Sequence, residues 1–138
     1  MNYKNILLAL EGEKDESKVI RQAAELSKKL SASLFVLHVN DPEAGKPSMM
    51  MDAPKAVHED DLRKQIKEAG YPDIADKVDI HIVEGEHYPD KIAEATRDAD
   101  MLVLGHSHKN RFLAALIDSV DERVTDIADC PVLIVPKS

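Results

Sequence analysis

The chain has 138 residues, a length that suits one compact domain over 1–138 and is enough to bury a core without disulfides or a structural metal. Eighteen Lys and Arg stand against 26 Asp and Glu, a formal charge of −8, which excludes a bulk affinity for nucleic acid or an anionic membrane, because both need clustered cations. Two Phe, three Tyr and no Trp leave no platform for stacking single-stranded bases, and the one cysteine, Cys130, excludes an internal disulfide and a Cys-rich zinc site.

The first apolar run, Ile6–Leu10, is continuous rather than alternating, as a strand buried on both faces requires. Asp15–Leu30 places Val19, Ile20, Ala23, Ala24, Ser27 and Leu30 on one helical stripe, with acids crowding its first turn and Lys28-Lys29 its last. Leu34–Val39 is a second buried strand. Asn40 to about Pro54 is the one long loop, with Pro42, Gly45, Pro47 and the triplet Met49–Met51. Ala56–Ala69 reads as a helix with Glu59, Asp60 and Asp61 near its start, stopped by Gly70-Tyr71-Pro72.

Val78–Val83 alternates at its beginning, as a strand near a sheet edge does. Pro89–Asp98 is a helix with Pro89 at its first position. Met101–Leu104 is a fourth strand that ends at Gly105. Phe112–Ala128 is a long amphipathic helix, and Val132–Val135 is the last strand, stopped by Pro136. Strict β-α alternation with continuous apolar strands implies a parallel sheet with helices on both faces. The longest apolar runs, Ile6–Leu10 and Phe112–Ile117, fall far short of the roughly 18 residues of a membrane helix, so a cytoplasmic protein without membrane contact is expected.

Ligands of such sheets bind beyond the C-terminal strand ends, where the winding reverses. The residues there are Glu11-Gly12, His38-Val39-Asn40, Val83–His87 and Gly105–His108, with Ser119 and Val120 further along the following helix. Neither a Walker loop nor a Gly-x-Gly-x-x-Gly fingerprint occurs.

In this order and spacing, Tyr3–Glu11, Leu37-His38-Val39, Gly105-His106, Ser119-Val120 and Cys130–Pro136 make the chain similar to the universal stress protein family over nearly its whole length. The resemblance implies an open five-stranded α/β sheet of order 3-2-1-4-5, Rossmann-like, with its switch point between strands one and four beside Glu11 and Gly105. It also implies that Val132, Leu133, Ile134 and Val135 pair antiparallel with the same strand of a second subunit, giving a homodimer. Such pairing removes the hazard of an unpaired apolar edge.

One class of the family binds ATP through Gly, two residues, Gly, nine residues, Gly, then Ser or Thr. Here the pattern falls on Gly105, His108, Asp118 and Ser119, so the first Gly and the Ser survive, and the family's usual Asp after strand one is Glu11. The chain resembles the A-type class instead, which is thought not to hold ATP. Glycines let backbone N–H groups approach phosphate closely, and His108 adds a side chain there. A carboxylate such as Asp118 at about 4 Å from a phosphate oxygen repels it by about 4 kcal/mol at an effective dielectric near 20. That is about a thousandfold in affinity.

The expectation is therefore a stress-response accessory or regulatory protein without its own catalysis or cofactor, acting through protein partners of unknown identity. The alternative is a switch that binds ATP or AMP with Mg through Glu11, Val39, Gly105, His108, Ser119 and Val120, with Val39 reading adenine through its backbone as the resemblance implies. Other constellations have plainer roles. His106 and His108 lack a carboxylate or Cys to complete a metal site, and Ser119 lacks the Gly-x-Ser-x-Gly elbow of a nucleophile. His58–Asp61 decorates a helix start, Cys130 is a small structural residue, and Met49–Met51 is a contact surface or a loop tip.

Overall fold

The computed structural model, which describes residues 3–12, 15–42, 44–45, 55–106, 124–125 and 127–137, joins five parallel strands into one sheet. They are β1 (Asn5–Ala9), β2 (Ser33–Asn40), β3 (Asp79–Glu84), β4 (Met101–His106) and β5 (Val132–Pro136). Their order is β3-β2-β1-β4-β5, and the register pairs Leu7 with Phe35 on one side and Leu102 on the other. The order implied by the resemblance is thus the order observed. β3 and β5 are the two edges, as the alternation of the third strand anticipates.

The continuous apolar runs of β1 and β4 feed two cores. Ile6, Leu8, Leu10, Val36 and Val103 point to one face, under helices α1 (Ser17–Leu30), α2 (Glu59–Glu68) and α3 (Pro72–Lys77). Leu7, Ala9, Leu37, Leu102 and Leu104 point to the other, under α4 (Tyr88–Ala95) and Val124. Residues of adjacent parity bury on opposite faces, which is why these strands show no polar alternation. No helix among the described residues is long and apolar enough to cross a membrane.

Four local expectations are revised. The first turn of α1 holds no acid: the helix starts at Ser17, and Asp15 and Glu16 precede it and turn elsewhere. The second helix is shorter than Ala56–Ala69, because His58 is its extended N-cap and its backbone N–H donates to Asp61 Oδ2 at 2.9 Å. Gly70-Tyr71-Pro72 is a stop and also a start. Gly70, at φ +105°, ends α2, and Pro72 opens α3 at a first-turn position that needs no N–H donor. Arg63 Nη1 then donates to Ala75 O at 2.6 Å and ties the short helix to α2. The Pro89–Asp98 helix is α4 followed by a 3₁₀ turn over Thr96–Asp98. The Met49–Met51 loop and the Phe112–Ala128 helix, apart from Val124, Thr125 and Ile127-Ala128, lie outside the described residues.

Candidate functional site

The polar residues at the C-terminal ends of the strands gather around one buried lysine. Pro136 ends β5, and Lys137 N–H donates to His106 O at 2.7 Å, carrying the β4–β5 ladder one residue further. The Lys137 side chain then turns inward, with 4% of its surface exposed. Its ammonium donates to Glu11 Oε2 at 2.8 Å and lies 3.8 Å from Glu16 Oε2 and 4.0 Å from Asp15 Oδ1. Burial works against this charge, but the Glu11 hydrogen bond and the Glu11, Glu16 and Asp15 charges outweigh it, so the ammonium is held above its ordinary value.

Glu16 is the partner buried most deeply, at 1% exposure. Its carboxylate accepts Glu11 N–H at 2.9 and 3.2 Å on its two oxygens and Gln65 Nε2–H at 3.1 Å. Burial pushes its carboxyl above the ordinary value against the pull of that N–H, of Lys137 and of Gln65. The acids expected on the helix dipole are therefore used in the crevice.

Gly105 explains how Lys137 fits. A Cβ at this position would lie 2.8 Å from Lys137 Cε and 2.9 Å from Val19 Cγ2, so only glycine lets the lysine and α1 close over the end of β4. Glu11 and Gly105, two of the residues singled out from the sequence, thus meet at the same lysine.

A second polar group closes the end of β1 from the β2 side. His38, 7% exposed, places Nδ1 2.6 Å from Leu10 O and Nε2 2.9 Å from Asn40 Oδ1. Asn40 Nδ2 donates to Val57 O at 2.9 Å, and Asn40 Oδ1 accepts Val57 N–H at 3.1 Å. Val57 is thereby laid over Gly12, where an added Cβ would meet Val57 Cγ2 at 2.8 Å. Gly12 has φ +79°, so the turn after β1 favours glycine in backbone as well as in space.

Val39 stands one residue along from His38, half-buried, on β2. Leu37 O accepts Leu10 N–H at 3.0 Å, and backbone alternation aims the Val39 peptide the same way, past the end of β1. His108, Ser119 and Val120 lie outside the described residues. Val132–Val135 form most of edge strand β5, with Leu133 36% and Ile134 39% exposed and Val135 buried. Burial, then the Asp100 and Asp129 charges, pushes the Cys130 thiol up, in keeping with a structural cysteine. Among the described residues no group of three or more His, Cys, Asp or Glu is placed to hold a metal ion.

Sequence reasoning missed Lys137, Asp15, Glu16 and Val57 as members of the site, and singled out Asn40 only within a strand-end triplet. For Lys137 a signal existed: a cation one residue past a strand that ends at the same level as Glu11. For Val57 none did, because its partner Asn40 is 17 residues away across a long loop.

A profile of the universal stress protein family matches residues 2–136. A universal stress protein of Methanocaldococcus jannaschii is 27% identical over 98% of this chain and 83% of its own length. Among solved structures, a universal stress protein in complex with cAMP superimposes with a TM-score of 0.70 at 19% identity, covering both chains completely. The universal stress protein from Archaeoglobus fulgidus in complex with dAMP does so with a TM-score of 0.56 at 20% identity, over 98% of this chain and 99% of that one. At such identities the two superpositions speak for the fold.

Proposed function

The chain belongs to the universal stress protein family, and from that premise we propose that it is a cytoplasmic, homodimeric accessory or regulatory protein of the A-type class, acting by association and without turnover of its own. The observation that carries this reading is the Lys137 side chain at the crevice beside Gly105. A polyphosphate entering there would have to draw the ammonium from Glu11 and then lie beside Asp15 and Glu16. Each like-charge approach to about 4 Å costs about 4 kcal/mol at an effective dielectric near 20.

Association is supported by the last strand. Leu133 and Ile134 are exposed on an edge whose backbone has no second strand neighbour among the described residues. Antiparallel pairing of Val132–Val135 with a second copy would cover both.

Two experiments test the reading. Protein purified without added nucleotide should release no stoichiometric adenine nucleotide, and MgATP should leave its thermal midpoint in place; a ligand at 100 times its Kd would add about 2.7 kcal/mol. Ile134→Arg should give a monomer by light scattering, and an intact dimer would overturn the edge pairing.

One observation favours a second reading, an adenine-nucleotide switch. The Val39 peptide faces past the end of β1, where it can meet the edge of a base, and two solved relatives were crystallised with cAMP and dAMP. Glu11, Val39, Gly105, His108, Ser119 and Val120 would then line the site, with Mg bound only alongside a phosphate chain. AMP shifting the midpoint where MgATP does not would select this reading in its monophosphate form.

A further inference from the structure

The hydrogen bonds around His38 cannot all be made by a neutral imidazole. Leu10 O is a carbonyl and accepts only, so Nδ1 at 2.6 Å must carry a hydrogen. Nε2 faces Asn40 Oδ1 at 2.9 Å. Turning the Asn40 amide over would offer Nε2 a donor, but it would set an oxygen against Val57 O and an amino group against Val57 N–H. The two bonds to one peptide, 2.9 Å from Nδ2 and 3.1 Å to Oδ1, fix the amide as it stands. Nε2 must therefore carry a hydrogen too. Either neutral tautomer leaves two acceptors facing each other in a site that is 7% exposed.

We propose that His38, with both ring nitrogens protonated, fastens the segment Lys55–His58 across the end of β1, and that loss of one ring proton to solvent releases it. The chain of contacts runs from Leu10 through the ring to Asn40 and on to Val57, which rests on Gly12. Proton occupancy at one buried ring thus decides whether the turn after β1, with Glu11 next to it, is covered.

The elements packed near the ring carry titratable groups of both signs. The β1–α1 turn brings Glu11, Asp15 and Glu16, all three engaged with Lys137. β3 brings Glu84, opposite Asn40 in the register. The segment itself brings Lys55 and His58, and α2 brings Asp61, which holds the His58 N–H. The fastening stands whichever reading of the crevice is correct.

The test uses the full chain with ¹⁵N-labelled histidine. Two-bond ¹H–¹⁵N correlations are followed from about pH 5 to about pH 9, together with amide exchange of Val57 and with exposed His81 as internal reference. Expected is a His38 ring protonated at both nitrogens at the acid end, and a Val57 protection factor that falls at least tenfold over the interval in which one of those protons is lost. Two results would overturn the latch: a His38 ring with one protonated nitrogen throughout, or Val57 protection unchanged while the second proton leaves. Asn40→Ala removes the link and leaves the ring, so it guards against a His38 variant that does not fold. Val57 protection in Asn40→Ala should be low and flat with pH, and a surviving pH step there would also overturn the proposal.

Discussion

The two ends of the sheet handle polar groups in opposite ways. At the N-terminal end, side chains complete the backbone. Asp100 Oδ2 accepts Lys4 N–H and Asn5 N–H, each at 2.8 Å, and Asp100 N–H returns to Asn5 O. Thr96 Oγ1 accepts Asp129 N–H at 2.9 Å and holds the approach to β5. At the C-terminal end, the buried groups Glu16 and Lys137 face each other, and buried His38 faces the backbone just after β1. The first end is a set of terminators whose removal costs hydrogen bonds. The second concentrates charge in low exposure, where protons and substitutions act most strongly.

The costliest substitution follows from that contrast. Lys137→Met leaves three carboxylates around an apolar side chain, one of them fully buried. Breaking a buried pair costs about 3–5 kcal/mol, and because Glu11 is half exposed the loss here should be about 2–4 kcal/mol by urea unfolding at neutral pH. Asp100→Ala at the other end strands two backbone donors that water reaches in part, so about 1–2 kcal/mol is expected. If Asp100→Ala proves the costlier of the two, the contrast between the ends is wrong.

The difference also explains what was legible in the sequence. Strand and helix order came from apolar runs, which are local, and β1, β2 and β4 lie where those runs are. α3 was missed because Pro72 carries two meanings, a stop after Gly70 and a helix start, and contacts distant in sequence, such as Arg63 with Ala75 O, favour the second. At the site, Glu11 and Gly105 were legible because each ends a strand. Lys137 carried the weaker signal of a cation just past a strand end, and was passed over because its partner Glu11 is 126 residues away and a lysine ordinarily faces water. His38 was visible only as part of a strand-end triplet. Its role depends on an amide orientation that is set by a loop.

A smaller effect sharpens the account of the covered turn. Gly12→Ala meets both a positive φ of +79° and Val57 Cγ2 at 2.8 Å, so a loss of about 2 kcal/mol is expected in thermal or urea unfolding. Gly70→Ala is the control: φ is +105°, but nothing lies within 4 Å, so it should lose about 1 kcal/mol, from backbone conformation alone. Equal losses would show that Val57 does not press on the turn.

The smallest effect is one of sign. Burial holds the Glu16 carboxyl above its ordinary value, so between that value and the raised one the folded protein binds more protons than the unfolded chain. Stability from this group therefore falls as pH rises through the window and stays reduced at neutrality. Lys137 has the complementary sign: its stabilisation is present below the ordinary lysine value and is lost only as pH climbs through the raised one, far from the Glu16 window. Glu16→Gln keeps an oxygen for Glu11 N–H, removes the titration and leaves Lys137 with Glu11 and Asp15. The variant should therefore gain on the wild type as unfolding is measured from the acid side of the carboxylate range to neutral pH. A difference that stays constant over that range would mean that water reaches the Glu16 carboxylate, and the C-terminal end would then be no more sensitive to protons than the end held by Asp100.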